Sequence, residues 1–126
     1  MGIEDLGAAR QPLLRDRLQS GVMAWNSDSM DWVYKEFVFK KDTAVREFRG
    51  DGEYLNSVIS NRNFLQRIYP NQLKSYKYDV YPDNIGNVSI ICFHGRPSII
   101  QSMSESITTP VRTYEAQEWV KNYWRQ

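Results

Sequence analysis

The sequence predicts a mixed α/β (α+β) domain, a small mixed sheet of about three strands with flanking helices. Three observations carry this reading. Apolar residues recur at helical spacing after residue 28 and again after residue 50, and short apolar runs bounded by turn residues fall near 19–25 and 88–92. The second of those runs, Val88 to Pro97, delivers the only histidine, His94, to a glycine-containing turn.

From the start of the chain, residues 3–18 hold scattered apolar positions (Ile3, Leu6, Leu13, Leu14, Leu18) divided by Pro12. They read as two short helical turns or a loop, an N-terminal segment 1–18 ahead of a domain spanning 19–126. Gln19 to Trp25 reads as a strand. Ser27 or Asp28 is placed to cap a helix in which Met30, Val33, Tyr34, Phe37 and Val38 share a face, ending near Lys41. Gly50-Asp51 opens a second helix through Tyr54, Leu55, Val58 and Ile59, with Asp51 as its cap and Glu53 at the positive end of the dipole. Asn61 to Asn63 stop it. Lys74 to Tyr81 alternates as a strand, Pro82 to Gly86 supplies a turn, and the histidine strand follows as the second arm of an antiparallel hairpin. Residues 98–112, rich in Ser and Thr, read as irregular. Thr113 then caps a last helix carrying Ala116, Trp119, Val120, Tyr123 and Trp124; its two tryptophans, five apart, cannot share one face.

At 126 residues the chain fits one domain able to bury roughly two thirds of its unfolded surface. Sixteen basic side chains against 15 acidic ones leave a net charge of +1. No block of like charges gives nucleic acid or anionic lipid a general electrostatic hold. The one cysteine, Cys92, lies inside the apolar run and suits a reducing compartment, so the cytoplasm is the expected location. The first residues lack the apolar core of a secretory signal, and no window reaches the length of a membrane span.

The chemistry gathers around His94. An imidazole, a flexible glycine backbone at Gly95 and the guanidinium of Arg96 stand at the mouth of a strand, where sites for anionic substrates are commonly built. The same histidine also fits a half-buried ring satisfied by backbone groups. Lys74 and Lys77 flank Tyr76, either as phosphate contacts or as charges that guard an edge strand. Asp51 suits both a helix cap and a substrate contact, and Trp25 and Trp32 suit both the core and a sugar face. Ser102, Ser104 and Ser106 have no base nearby in sequence, and one Cys with one His rules out a zinc cluster.

Four motifs occur in one order: Ser20-Gly-Val-Met-Ala-Trp25, Gly50-Asp-Gly-Glu-Tyr-Leu55, Ser75-Tyr-Lys-Tyr78 and Cys92-Phe-His-Gly-Arg-Pro97. This series, over roughly residues 19 to 97, resembles the carboxyl-terminal half of metal-dependent nucleotide-sugar glycosyltransferases of the glycogenin-like kind, with their bacterial and phage relatives. The resemblance implies a sugar transferase in which a divalent ion, manganese or magnesium, neutralises the departing diphosphate. His94 matches the metal histidine, and Arg96 stands where the family usually has lysine facing the diphosphate, with Lys77 and Gly95 beside it as cofactor-binding candidates. Asp51 matches the Gly-Asp motif of the sugar and acceptor region, and Ser20, Met23 and Trp25 resemble the acceptor-side strand and turn. No Asp-x-Asp triplet occurs, and strands for the nucleotide are not evident before residue 19. One imidazole and one guanidinium cannot hold a divalent ion alone. The resemblance therefore implies half of an enzyme, completed by a second chain that supplies the nucleotide half. The alternative is a noncatalytic interaction protein that pairs with itself or a partner through exposed sheet edges and aromatic residues.

Overall fold

A computed structural model describes residues 6–14 and 16–124. Among them the class is mixed α/β, with helices around small sheets of two or three strands. The chain forms two compact units, residues 1–70 and 71–126, each with its own sheet.

The first unit is built on a three-stranded sheet in the order β2-β1-β3, formed by β1 (Leu6–Arg10), β2 (Leu18–Trp25) and β3 (Asn63–Phe64). β1 runs antiparallel to β2 and parallel to β3. The expectation of helical turns or a loop over residues 3–18 is corrected at Leu6–Arg10, which form a strand, while residues 11–14 and 16–17 are loop, and strand pairing crosses the boundary expected at 18/19. β1 is Leu-Gly-Ala-Ala-Arg, and Gly and Ala have weak strand propensity, so the alternating pattern that marks a half-buried strand is missing. Small side chains suit this position because the strand is central: Leu6, Ala8 and Ala9 are each about 2% exposed. Ile3 and Arg15, part of the same expectation, lie outside the described residues.

Helices α1 (Asp31–Phe39), α2 (Lys41–Glu47) and α3 (Asp51–Val58) follow β2, and a short α4 (Leu65–Ile68) follows β3. α1 starts two or three residues later than expected, with Met30 at its N-cap and no side-chain cap, so neither Ser27 nor Asp28 fills that role. Val33 is buried and Met30 and Phe37 pack partly against the core, whereas Tyr34 and Val38 turn outward and Trp32, which suited either the core or a sugar face, is exposed. Tyr54 anchors the unit. Phe37 and Phe48 meet its ring edge-on at 5.4 and 5.6 Å, and its hydroxyl donates to the Val33 carbonyl at 3.4 Å.

The outer edge of β2 is closed by a side chain. Asn56 Oδ1 accepts from Leu18 N at 3.0 Å, and its Nδ2 donates to Leu18 O at 2.9 Å and to Gly52 O at 2.7 Å. One amide thus replaces a strand neighbour and ties α3 to the sheet. Arg62 braces the same region by donating to the carbonyls of Asp16, Asn56 and Ile59.

The second unit holds β4 (Leu73–Ser75) and β5 (Ile90–Cys92) as a parallel pair, joined through a π-helical turn at Tyr76–Val80. The expected strand from 74 to 81 therefore stops at Ser75, and the expected antiparallel hairpin is a parallel pair. The turn reverses the chain: Tyr81 N donates to Tyr76 O and Asn84 N to Val80 O, both at 2.7 Å, before the chain re-enters the sheet beside Gln72. Tyr76 centres an aromatic core, stacked on Phe93 at 4.4 Å with Tyr81 edge-on at 5.8 Å.

Residues read as irregular contain α5 (Ile99–Ser104), opened by a Ser98/Gln101 capping box, then the small ladder of β6 (Ile107–Thr108) and β7 (Thr113–Tyr114). The last helix, α6 (Glu118–Tyr123), begins after Gln117. Thr113 is a strand residue whose hydroxyl pairs with that of Thr108 at 3.0 Å, so it does not cap that helix. The two tryptophans do diverge: Trp119 packs near Tyr76 and donates to Pro82 O at 2.6 Å, while Trp124 is exposed. No helix among the described residues is long and apolar enough to cross a membrane.

Replacing Asn56 by Ala leaves Leu18 N–H and C=O without partners, and should lower unfolding free energy by about 1–3 kcal/mol. A urea titration monitored by tryptophan fluorescence measures this, and a midpoint equal to wild type would contradict the edge-closing role.

Candidate functional site

In the first unit, Met23, Trp25 and Asp51 line one open cavity of about 610 Å³ whose remaining walls are largely apolar, among them Met30, Phe37 and Phe48. β2 brings Met23 and Trp25, and the first turn of α3 brings Asp51. Ser20 stands apart from that cavity; its hydroxyl lies 3.6 Å from where a Cβ on Gly52 would fall, beside the start of α3. Three of the four residues expected on the acceptor side or as catalytic are thus neighbours around one space.

Asp51 is not the cap of its helix. Gly50 holds the N-cap in an extended conformation and has no side chain to offer. Asp51 Oδ1 instead accepts from Gly52 N at 2.8 Å, and Glu53 reaches back to accept from Arg49 N at 2.9 Å. Both carboxylates favour the positive end of the dipole, as expected of Glu53. The carboxylate of Asp51 stays exposed to solvent.

In the second unit, the carboxyl ends of the parallel β4 and β5 converge on His94. Its Nε2 lies 3.3 Å from the hydroxyl of the buried Ser75, while Nδ1 is buried without a hydrogen bond of good geometry. The ring lies nearly parallel to Tyr78, 14° between planes and 5.9 Å between centroids. Gly95 follows with φ +69°, a left-handed conformation that favours glycine, and a Cβ there would sit 3.4 Å from Lys77 Nζ. The lysine ammonium therefore rests over the glycine backbone, next to the imidazole. Arg96 is exposed beside it.

Burial lowers the His94 pKa below its ordinary 6.5, and Lys77 pushes the same way, against Asp79 and the Cys92 backbone. The ring is neutral at pH 7. Burial also raises the neighbouring Cys92 thiol, which keeps it protonated and unreactive near neutrality. His94 is half-buried and not sealed, so the corner opens to solvent through Gly95 and Arg96.

The donor set does not fit a divalent metal. Among the described residues no group of three or more His, Cys, Asp or Glu gathers so as to hold one. Asp79, the carboxylate that acts on the His94 charge, accepts from Ser75 N at 2.7 Å. This corner can instead meet an anion, through one ammonium, one guanidinium and the exposed backbone of a glycine.

Ser75, Tyr78 and Asp79 were not foreseen as a set, because Lys74 to Tyr81 reads as alternating. A signal for them exists in helical spacing: Ser75 Oγ accepts from Tyr78 N at i+3, and the Asp79 carboxylate accepts from Ser75 N at i+4. Comparison with protein-family models, with curated proteins and with solved structures finds no match for this chain.

The histidine sets a pH dependence. A ring whose folded pKa lies below its unfolded value lets the unfolded chain take up the proton first as pH falls. Its contribution is therefore retained above about pH 6.5 and lost between that pH and the lower folded value. His94→Gln should flatten this part of the stability profile, measured as urea midpoints between roughly pH 5 and pH 7.5. Equal acid-side slopes in the two proteins would contradict the assignment.

Proposed function

We propose that this chain is a glycosyltransferase-related domain that contributes a diphosphate-binding corner and an acceptor-side groove to the handling of a nucleotide sugar. The observation that carries the reading is the seat of the Lys77 ammonium over Gly95 beside His94, at the carboxyl ends of a parallel strand pair. Transfer of a sugar leaves negative charge on the departing diphosphate, and fixed donors in a partly dry corner stabilise that charge. Lys77 and Arg96 supply the cations, and the Gly95 backbone allows close approach. Asp51 faces the groove with Met23 and Trp25, where a carboxylate suits a sugar or acceptor hydroxyl and an indole suits the C–H face of a pyranose. In this reading the nucleoside contacts come from a second chain.

A second reading, a noncatalytic interaction module, has one observation in its favour. The groove of the first unit is open and largely apolar, and Trp25, Tyr34 and Val45 on its walls are 52, 70 and 72% exposed.

Titration of the chain with inorganic pyrophosphate, followed by amide NMR, separates the two. The transferase reading expects shifts concentrated at Lys77, Gly95 and Arg96, lost in Lys77→Ala. A flat titration, or shifts spread evenly over the chain, overturns it. A concentration-dependent dimer in light scattering, with no pyrophosphate response, is the outcome that the interaction reading requires.

A further inference from the structure

The turn that carries Lys77 is coiled by its own bonds to Ser75 and also takes donors from beyond it. A π-helical segment of five residues, Tyr76–Val80, ends in an i to i+5 hydrogen bond, Tyr81 N to Tyr76 O. Its later carbonyls depend on outside donors: Asp79 O takes the Asn84 amide at 3.2 Å, and Val80 O takes Asn84 N. The Lys77 carbonyl takes Arg112 Nη2, at 3.0 Å and 35 positions away in sequence.

Arg112 is itself fixed from both ends. Its backbone sits in a tight turn in which Arg112 N donates to Thr109 Oγ1 at 3.2 Å and Arg112 O accepts from Thr109 N and Oγ1 at 3.0 and 2.9 Å. Its guanidinium carbon lies 4.6 Å from the Tyr81 ring centroid and 4.7 Å from that of Tyr114, two rings that meet edge-on at 4.9 Å. Among the described residues it has no acidic partner; the ion pairs there are Lys40 with Glu36 and Lys121 with Glu118. A cation set against two tyrosine rings is partly ordered before it donates, which lowers the entropic cost of its hydrogen bond to the carbonyl.

We infer that Arg112 is a positioning residue for the anion corner: clamped by Tyr81 and Tyr114, it holds the Lys77 carbonyl and so sets the turn that carries Lys77 to Gly95 and Tyr78 to His94. This rests on the diphosphate-binding reading for its function but not for its geometry. Lysine cannot replace it, because a single ammonium lacks the fork that lets a guanidinium stay beside both rings and still donate to the carbonyl.

The experiment uses the whole chain, with Arg112→Lys and Arg112→Met beside Lys77→Met. The His94 ring protons report the turn directly, since Tyr78 stacks on that ring. Both Arg112 variants should move these resonances away from their wild-type positions. They should also weaken pyrophosphate binding about tenfold, the loss of one charge-assisted contact. The double variant Lys77→Met with Arg112→Lys should bind no more weakly than Lys77→Met alone, because Arg112 acts through Lys77. Folded variants with lower thermal stability but wild-type His94 resonances would reduce Arg112 to a stabilising residue and overturn the inference, and additive losses in the double variant would do the same. Should the variants fail to fold, the wild type decides: a clamped guanidinium gives separate, slowly rotating Nη–H signals, and a single averaged signal overturns the clamp. Absence of pyrophosphate binding in the wild type overturns the function proposed above, while the His94 resonances still judge the positioning role.

Discussion

Ser75 is the residue on which the candidate corner depends, because its N–H and its hydroxyl are both committed at the point where β4 ends. Its N–H goes to the Asp79 carboxylate, its hydroxyl accepts from Tyr78 N, and the same hydroxyl meets His94 Nε2. A buried serine with those bonds unmade would cost about 1–3 kcal/mol for each stranded group. The chain satisfies them by coiling directly after the strand. That coil brings Lys77 and Tyr78 to the histidine, so the chemistry follows from hydrogen-bond closure and not from a strand that happens to carry lysines.

The first unit solves a similar problem with a different side chain. β2 is an edge strand in the order β2-β1-β3, and its opening residue presents Leu18 N–H and C=O away from β1. Asn56 answers both with one amide and holds α3 by its remaining hydrogen. Since α3 begins at Asp51, the amide that closes the edge also helps fix where the Asp51 carboxylate stands relative to Met23 and Trp25 on the same sheet. In each unit a buried or half-buried polar side chain converts an unsatisfied strand end into the placement of a charged group.

Much of the helical content was legible in residues. Val33 and Phe37, and Tyr54 with Leu55 and Val58, recur at a spacing that only a helix uses to bury a face, and the strand at 18–25 followed from a short apolar run bounded by polar turns. Illegible elements share a cause. β1 is buried on all sides and built of Gly and Ala, so neither propensity nor alternation marks it. The π-turn at Tyr76–Val80 alternates Tyr, Lys, Tyr, Asp, Val like a strand, and α5 hides in a Ser-rich stretch whose capping box, Ser98 with Gln101, is its one local sign. Asp51 reads as a cap but stands at the first helical position, because Gly50 takes the cap and the acidic side chains bond from within the helix.

The amino-acid sequence by itself determined the α+β class and the position of the lone imidazole next to a glycine and a guanidinium at the end of an apolar strand. It also determined that Asp51 opens a helix. These are local facts, set by side-chain period and by which residues tolerate a turn. The tertiary structure alone decided that β4 and β5 run parallel, that Lys77 lies over Gly95, and that Arg112 reaches the Lys77 carbonyl from 35 residues away. Those outcomes depend on which distant donor reaches which unpaired carbonyl, and no window of sequence contains both partners.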